Sequence, residues 1–311
     1  MKNIEIIEYQ DWMKSSVLKL FINQYNLDEN QFENKFEKLY DDEFQKKRCI
    51  RIVALINKEI IGFQSYFYWP YKNGEIKYNS FQSGNSIVSK LYRGKGVFGL
   101  MLEKIDEIIM ERKIDFLIGF PVKESIGSFR RKKWINNINL SWHVKPISYN
   151  PLIFYKKTKV KLKKDKLYFN FKMKNYIALE NNQTFYNYRN KFSGEKLYFQ
   201  YCEKNSKIEF CYKLLIRKKI IKELIIGSVE FDDFNKDIMN NAFEDFIKMI
   251  KKYKIANFIS IAISNNTKIF DEIIKKQNFK SIKKKIYFIY KGNEKVNFNN
   301  ILLFRSDIDT W

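Results

Sequence analysis

Runs and alternations of apolar residues divide this chain into strands and helices. Residues 4–7 read as a strand, and Asp11 stands in a capping position. After it Trp12, Val17, Leu18, Leu20, Phe21 and Tyr25 recur at helical spacing. A second helix is predicted over 30–41, then strands over 50–56 and 60–69 joined by Asn57-Lys58-Glu59. Gly74 sits in the next turn, and 76–88 reads as one long strand. Arg93-Gly94-Lys95-Gly96 then opens directly into a helix, with Val97, Met101, Ile105, Ile108 and Ile109 on one face, running to about Lys113. Phe116-Leu117-Ile118-Gly119-Phe120 is short and wholly apolar, the pattern of a parallel strand covered on both faces. Pro121 ends that run, and a short helix is predicted over 125–133.

From 155 to 174 the chain turns Lys-rich and less regular, which puts a domain crossing there: one domain over 1–155, another over 156–311. The second half repeats the order of the first, with strands at 209–216 and 223–231, a helix at 235–254 and a strand at 258–264. A helix at 267–277 and a strand at 284–290 close it. The tail that carries Asp307, Asp309 and Trp311 has no pattern that assigns it a role.

At 311 residues the chain is long enough for two cores. Its 58 basic and 35 acidic residues leave a net charge of +23, which favours polyanions in general. The lysines are dispersed, with no basic stripe interleaved with aromatics, and this weakens a nucleic-acid reading. Three cysteines without ligand spacing and a single histidine argue against a disulfide framework and against zinc, so no metal is expected. No stretch approaches the ~18 apolar residues of a spanning helix, and the N-terminus has no apolar signal region. The expectation is a cytoplasmic protein without membrane insertion.

Chemistry concentrates in the strand, loop and helix around Arg93. Glycines let backbone approach a phosphate, and the unpaired N–H groups and dipole of a helix N-terminus attract anions. The loop is not a Walker loop, since no Gly-Lys-Ser/Thr ending is present. Nor is it a dinucleotide fingerprint, because the third glycine and the downstream acid are missing.

It resembles instead the Arg/Gln-x-x-Gly-x-Gly/Ala loop of the GNAT superfamily, the Gcn5-related N-acetyltransferases. The resemblance spans about 50–150, through Ser86-Ile87-Val88, Tyr92-Arg93-Gly94-Lys95-Gly96-Val97-Phe98 and Gly119-Phe120-Pro121. Phe98 departs from the small residue that ends the family loop, and Val122 stands where Asn is usual. The resemblance implies an α/β (α+β) fold of two tandem GNAT-like domains, each a mixed, mostly antiparallel sheet flanked by helices. It implies an acyl-CoA:amine N-acyltransferase using acetyl-CoA or 3-hydroxybutyryl-CoA, with direct transfer through a tetrahedral intermediate. Cofactor contacts would come from Ile87, Val88, Arg93, Gly94, Lys95, Gly96, Val97 and Phe98. The backbone N–H near Val88 would stabilise the oxyanion. Tandem members of polysaccharide clusters make a dTDP- or UDP-linked amino-deoxysugar of O-antigen or capsule the expected acceptor. A peptide, amino acid or antibiotic amine is the alternative, and a basic nucleic-acid-binding protein is the non-enzyme alternative.

His143 has the ordinary pKa of a general base, yet a lone histidine beside an apolar residue is more often structural. Tyr78, Gln82 and Asn85 lie on the strand leading to the loop and are candidates for holding acceptor or acyl group. In the second half the corresponding turn is Asp232-Asp233-Phe234, without glycine and with two carboxylates that would repel a pyrophosphate. That half is expected to be structural and to border the acceptor.

Overall fold

The structure, a computed structural model, describes residues 4–149, 165–292 and 296–311. The expected crossing at 155/156 lies outside the described residues. The elements in order are β1 (Glu5–Glu8), α1 (Lys14–Tyr25), α2 (Glu29–Tyr40), β2 (Ile50–Ile56), β3 (Glu59–Tyr68), β4 (Tyr71–Asn73) and β5 (Ile76–Tyr78). Next come β6 (Ser80–Val88), α3 (Val97–Glu111), β7 (Phe116–Gly119), α4 (Lys123–Arg131) and β8 (Asn139–Pro146). Past the crossing lie β9 (Ala178–Leu179), α5 (Gln183–Asn190), β10 (Leu197–Glu203), β11 (Ser206–Arg217) and β12 (Ile221–Phe231). The chain closes with α6 (Lys236–Tyr253), β13 (Phe258–Ser264), α7 (Asp271–Lys276), β14 (Lys280–Tyr287) and β15 (Ile289–Gly292).

Local chemistry sets most boundaries. Asp28 accepts from the Gln31 N–H and starts α2, whereas Asp11, expected to cap α1, lies inside a short 3₁₀ turn and caps nothing. Asn57 and Lys58 both take positive φ, the two-residue turn that suits a twisted hairpin. Helix α3 buries Val97, Met101, Leu102, Ile105 and Ile108 against the first sheet. The predicted single strand over 76–88 is broken at Asn79, whose amide donates to the Arg112 and Lys113 carbonyls and whose N–H donates to Asp115. Those bonds turn β5 out into a small sheet of order β5-β4-β9.

The two large sheets do not divide at the crossing. One has the order β1-β2-β3-β6-β7-β15, the other β10-β11-β12-β13-β8-β14. Strand β8, from the first half, sits between β13 and β14, and β15, from the second half, pairs with β7. The chain changes sheet at Phe288, a fully buried ring against Phe120. Asn136 fastens the crossing by donating to the Phe288 carbonyl at 2.6 Å, and Ile135 and Tyr290 exchange both backbone bonds. The predicted strand over 284–290 is therefore two strands in two sheets. One core draws Phe63 and Phe116 from the first half and Phe185, Ile225 and Trp311 from the second. Among the described residues no helix is long and apolar enough to cross a membrane.

Candidate active site

Strands β6 and β7 pair in parallel only over Ser80–Ser83 and Phe116–Gly119. Past that point β6 carries an extra residue: Gln64 faces Ser86 and Tyr66 faces Ser83, so Gly84 and Asn85 stand opposite Ser65 alone. A Cβ on Gly84 would overlap the Phe67 ring, so this position of the bulge admits only glycine. The strands part there, leaving a cavity of about 240 Å³ lined by Ser83, Gly84 and Ser86 on one side and Gly119, Phe120 and Pro121 on the other.

Where β6 ends, the loop begins. Gly94 and Gly96 take φ of 74° and 79°, and a Cβ on either would meet nothing within 4 Å. Gly96 is the N-cap of α3 and supplies no side-chain cap, so the helix presents its first N–H groups unpaired by the helix itself. They face a second cavity of about 550 Å³, lined by residues 92–100 with Ser128, Arg131 and Lys132 of the α4 region. Phe98 lines both cavities, its ring edge-on to Phe129 at 5.3 Å. The site is thus one path: a cationic helix N-terminus leading to a gap between strands.

Each expected residue has a definite place. Arg93 turns its Nε back to the Val88 carbonyl at 3.1 Å, bracing the loop, and Lys95 lies 5.1 Å from the Tyr92 ring centroid. The Ser89 N–H bonds to Ile61 in β3, so by antiparallel alternation the Ile87 N–H also faces β3 and the Val88 N–H points away from it. Ile87 is buried in the core, which separates it from the cavity lining that Val88 joins. Asn85 donates to the Tyr40 hydroxyl at 2.8 Å, and Tyr40 donates to Ser65, a chain that ties α2 to the bulge. Tyr78 packs edge-on to Phe116. Gln82 is fully buried, and neither of its amide atoms has a partner among the described residues.

His143 is not brought to this site. It lies on β8 in the second sheet, opposite Ile261 and Ser281. Burial holds its imidazole below the ordinary range, against a smaller opposing pull from Asp271. Conversely, the sequence named Ser86 only as part of the family pattern, and Ser83, Ser128, Arg131 and Lys132 were not singled out as lining residues. The Arg131-Lys132 pair at the end of α4 was a visible signal, one helical turn past Ser128.

The second half has the same ground plan, closed. Asn235 caps α6 through its own side chain, accepting from the Asp237 and Ile238 N–H groups, while Asp232 accepts from the Asn170 and Lys172 N–H groups. Strands β12 and β13 pair only over Glu223–Ile226 and Phe258–Ile261, and the tail fills the gap beyond. Phe304 bridges to Ile263, Leu303 bonds to Ser264, and the Trp311 indole lies on Gly227 where a Cβ would overlap it. Trp69 and Arg189 hold the tail by donating to the Asp307 and Ser306 carbonyls.

No family model matches the sequence, and no curated protein matches it. Solved structures do match the fold. A GCN5-related N-acetyltransferase from Anabaena variabilis superposes with a TM-score of 0.62 at 10% identity, over 93% of this chain and 73% of that one. The fold is that of the GCN5-related N-acetyltransferases. A second such protein, from Kribbella flavida, gives 0.60 at 10% identity over 93% and 70%. Saccharomyces cerevisiae N-myristoyltransferase with bound myristoyl-CoA gives 0.50 at 9% over 94% and 83%. A GNAT fold that spans nearly the whole chain accords with two such units sharing strands.

The packing of Gly84 gives a stability prediction. Gly84→Ala should destabilise the protein by about 1–3 kcal/mol, the usual cost of an overpacked core methyl. Adding Phe67→Leu should return part of that loss in denaturant unfolding. A Gly84→Ala protein as stable as the wild type would contradict the bulge as described.

Proposed function

We propose that the protein is an acyl-CoA-dependent N-acyltransferase whose co-substrate binds the first half alone. The observation that carries this reading is the pairing of an uncapped α3 N-terminus with an open strand gap, against a capped α6 and a plugged gap in the second half. The amides of Gly94 to Phe98 hold the pyrophosphate, and Arg131 and Lys132 add positive potential. Lys132 is partly committed to an ion pair with Glu103, so Arg131 is the freer of the two. The pantetheine arm takes the unpaired edge of β6. The Val88 N–H then donates to the thioester carbonyl and favours the oxyanion.

The incoming amine attacks as the neutral base, its C–N bond forms, the C–S bond breaks, and the thiol leaves with one proton. The residues lining the strand gap include hydroxyls but no carboxylate, histidine or lysine. Proton removal therefore falls to water or bulk base, and alignment supplies most of the rate.

The acceptor we propose is a nucleotide-linked amino-deoxysugar. Its support is electrostatic: a +23 chain and a groove of about 390 Å³ beside the end of β6, lined by Lys19, Lys58 and Lys90 with Glu59 as its one carboxylate. Its diphosphate would lie there, and its binding would help position the amine.

Two measurements follow. Gly96→Asp places a carboxylate against the pyrophosphate in a folded protein and should weaken acetyl-CoA binding by at least about 100-fold, the scale of an unpaired charge in such a site. Unchanged affinity in the folded variant would remove the loop from the site. For the acceptor, mass spectrometry of reactions with acetyl-CoA and 3-hydroxybutyryl-CoA should find N-acylation of a dTDP- or UDP-linked amino sugar and far slower reaction of the unlinked sugar. Equal rates, or acylation of peptides only, would assign a different substrate class.

A further inference from the structure

One end of the second sheet has a surface that the transfer reaction does not use. Strands β11 and β12 run past their neighbours: β10 pairs with β11 only as far as Tyr212, and β13 meets β12 only from Glu223. The overhang is a free two-stranded ribbon, closed by the Ile220 N–H bonding to the Arg217 carbonyl. Lys218 and Lys219 take positive φ at its tip, which fixes the turn. Leu215, Ile216 and Ile220 are exposed on it, Ile216 by 59%. Elsewhere among the described residues exposed aliphatic side chains are scattered singly; here three fall within six residues.

Asn257 joins this ribbon to two further segments. Its N–H donates to the Lys222 carbonyl, its side-chain carbonyl accepts from the Lys222 N–H, and its own carbonyl accepts from Ile147 and Ser148. The end of α6 arrives at the same place with exposed Lys251, Lys252, Tyr253 and Lys254, and Tyr149 is almost wholly exposed. Residues 213–222, 250–257 and 144–149 contain no Asp or Glu. The nearest carboxylate, Glu223, is buried and bonded to Arg217 and Ser260. Lys218, Lys219 and Lys254 have no ion pair among the described residues.

We propose that this end of the molecule docks onto an anionic lipid surface. The ribbon tip puts its aliphatic side chains at the headgroup boundary, and the surrounding lysines meet lipid phosphates. Charge alone would suit any polyanion, but aliphatic groups at the projecting tip gain nothing from a nucleic-acid backbone and gain burial from acyl chains. Stacking on bases would call for aromatics at the projecting tip, and the exposed aromatics of this end, Tyr149 and Tyr253, lie off the ribbon. This inference stands apart from the acyl-transfer reading, since it uses no residue of the α3 site.

The test is co-sedimentation with vesicles of phosphatidylcholine, with and without about one-third phosphatidylglycerol. The full chain should bind the mixed vesicles and not the neutral ones. Ile216→Ser with Ile220→Ser should weaken binding by about tenfold or more, and Lys218→Ser with Lys219→Ser by about fivefold per lysine. Both variants should keep the wild-type unfolding midpoint, because the replaced side chains are exposed. In Ile216→Trp, indole emission above that of the native tryptophans should shift to the blue and be quenched by brominated acyl chains. Full vesicle affinity in the double-isoleucine variant, or an indole that bromolipid leaves unquenched, would overturn the proposal. So would equal loss of vesicle and RNA binding in the lysine variant with none in the isoleucine variant, which would mark a general polyanion patch.

Discussion

Phe67 packs over Gly84 so closely that a methyl group has no room, and the residue taken up there turns β6 out of register with β3 and away from β7. The two strands then cannot stay paired past Ser83 and Gly119. Their separation leaves backbone groups of β6 without a strand partner, beside a helix N-terminus that lacks a side-chain cap. Unmet backbone donors are costly when buried and useful when a ligand supplies acceptors. The same divergence occurs in the second half, and there the chain meets the need itself. Phe304 and Trp311 occupy the gap, and Asn235 caps the helix. Two copies of one plan thus differ in whether the partner is internal or external.

Strand exchange makes these halves one body. A sheet whose fifth strand comes from the other half cannot close alone, and β8 has neighbours on both edges. The crossing at Asn136 and Phe288 lies beside Phe120, which lines the open gap. Ile289, the first residue of β15, also lines that gap and packs close to Gly119. The second half therefore builds part of the first half's site through its last strand.

How much of this was legible in the sequence depends on whether the signal was local. The Arg93 to Gly96 loop, the apolar face of α3 and the buried strand β7 are local patterns, and the structure has them where expected. Asp232-Asp233-Phe234 showed a second loop without glycine, but not that the Asn235 side chain caps α6 or that the tail fills the gap. Breaks at Asn79 and Phe288 were not, because apolar alternation runs straight through both while the bonds that bend the chain come from residues distant in sequence. His143 fell within the expected 1–155 domain, yet its strand β8 lies in the second sheet, a placement that no local pattern announces. The tail was unreadable since Asp307 and Trp311 derive their role from Trp69, Arg189 and Gly227, far away along the chain.

Amide hydrogen exchange with and without acetyl-CoA reads both helix starts in one experiment. Binding at the open N-terminus should slow exchange across residues 94–99 and along 84–88, and leave 232–238 unchanged. Protection at 232–238 equal to that at 94–99, or none at 94–99 under saturating acetyl-CoA, would contradict an account in which only the first half receives the co-substrate.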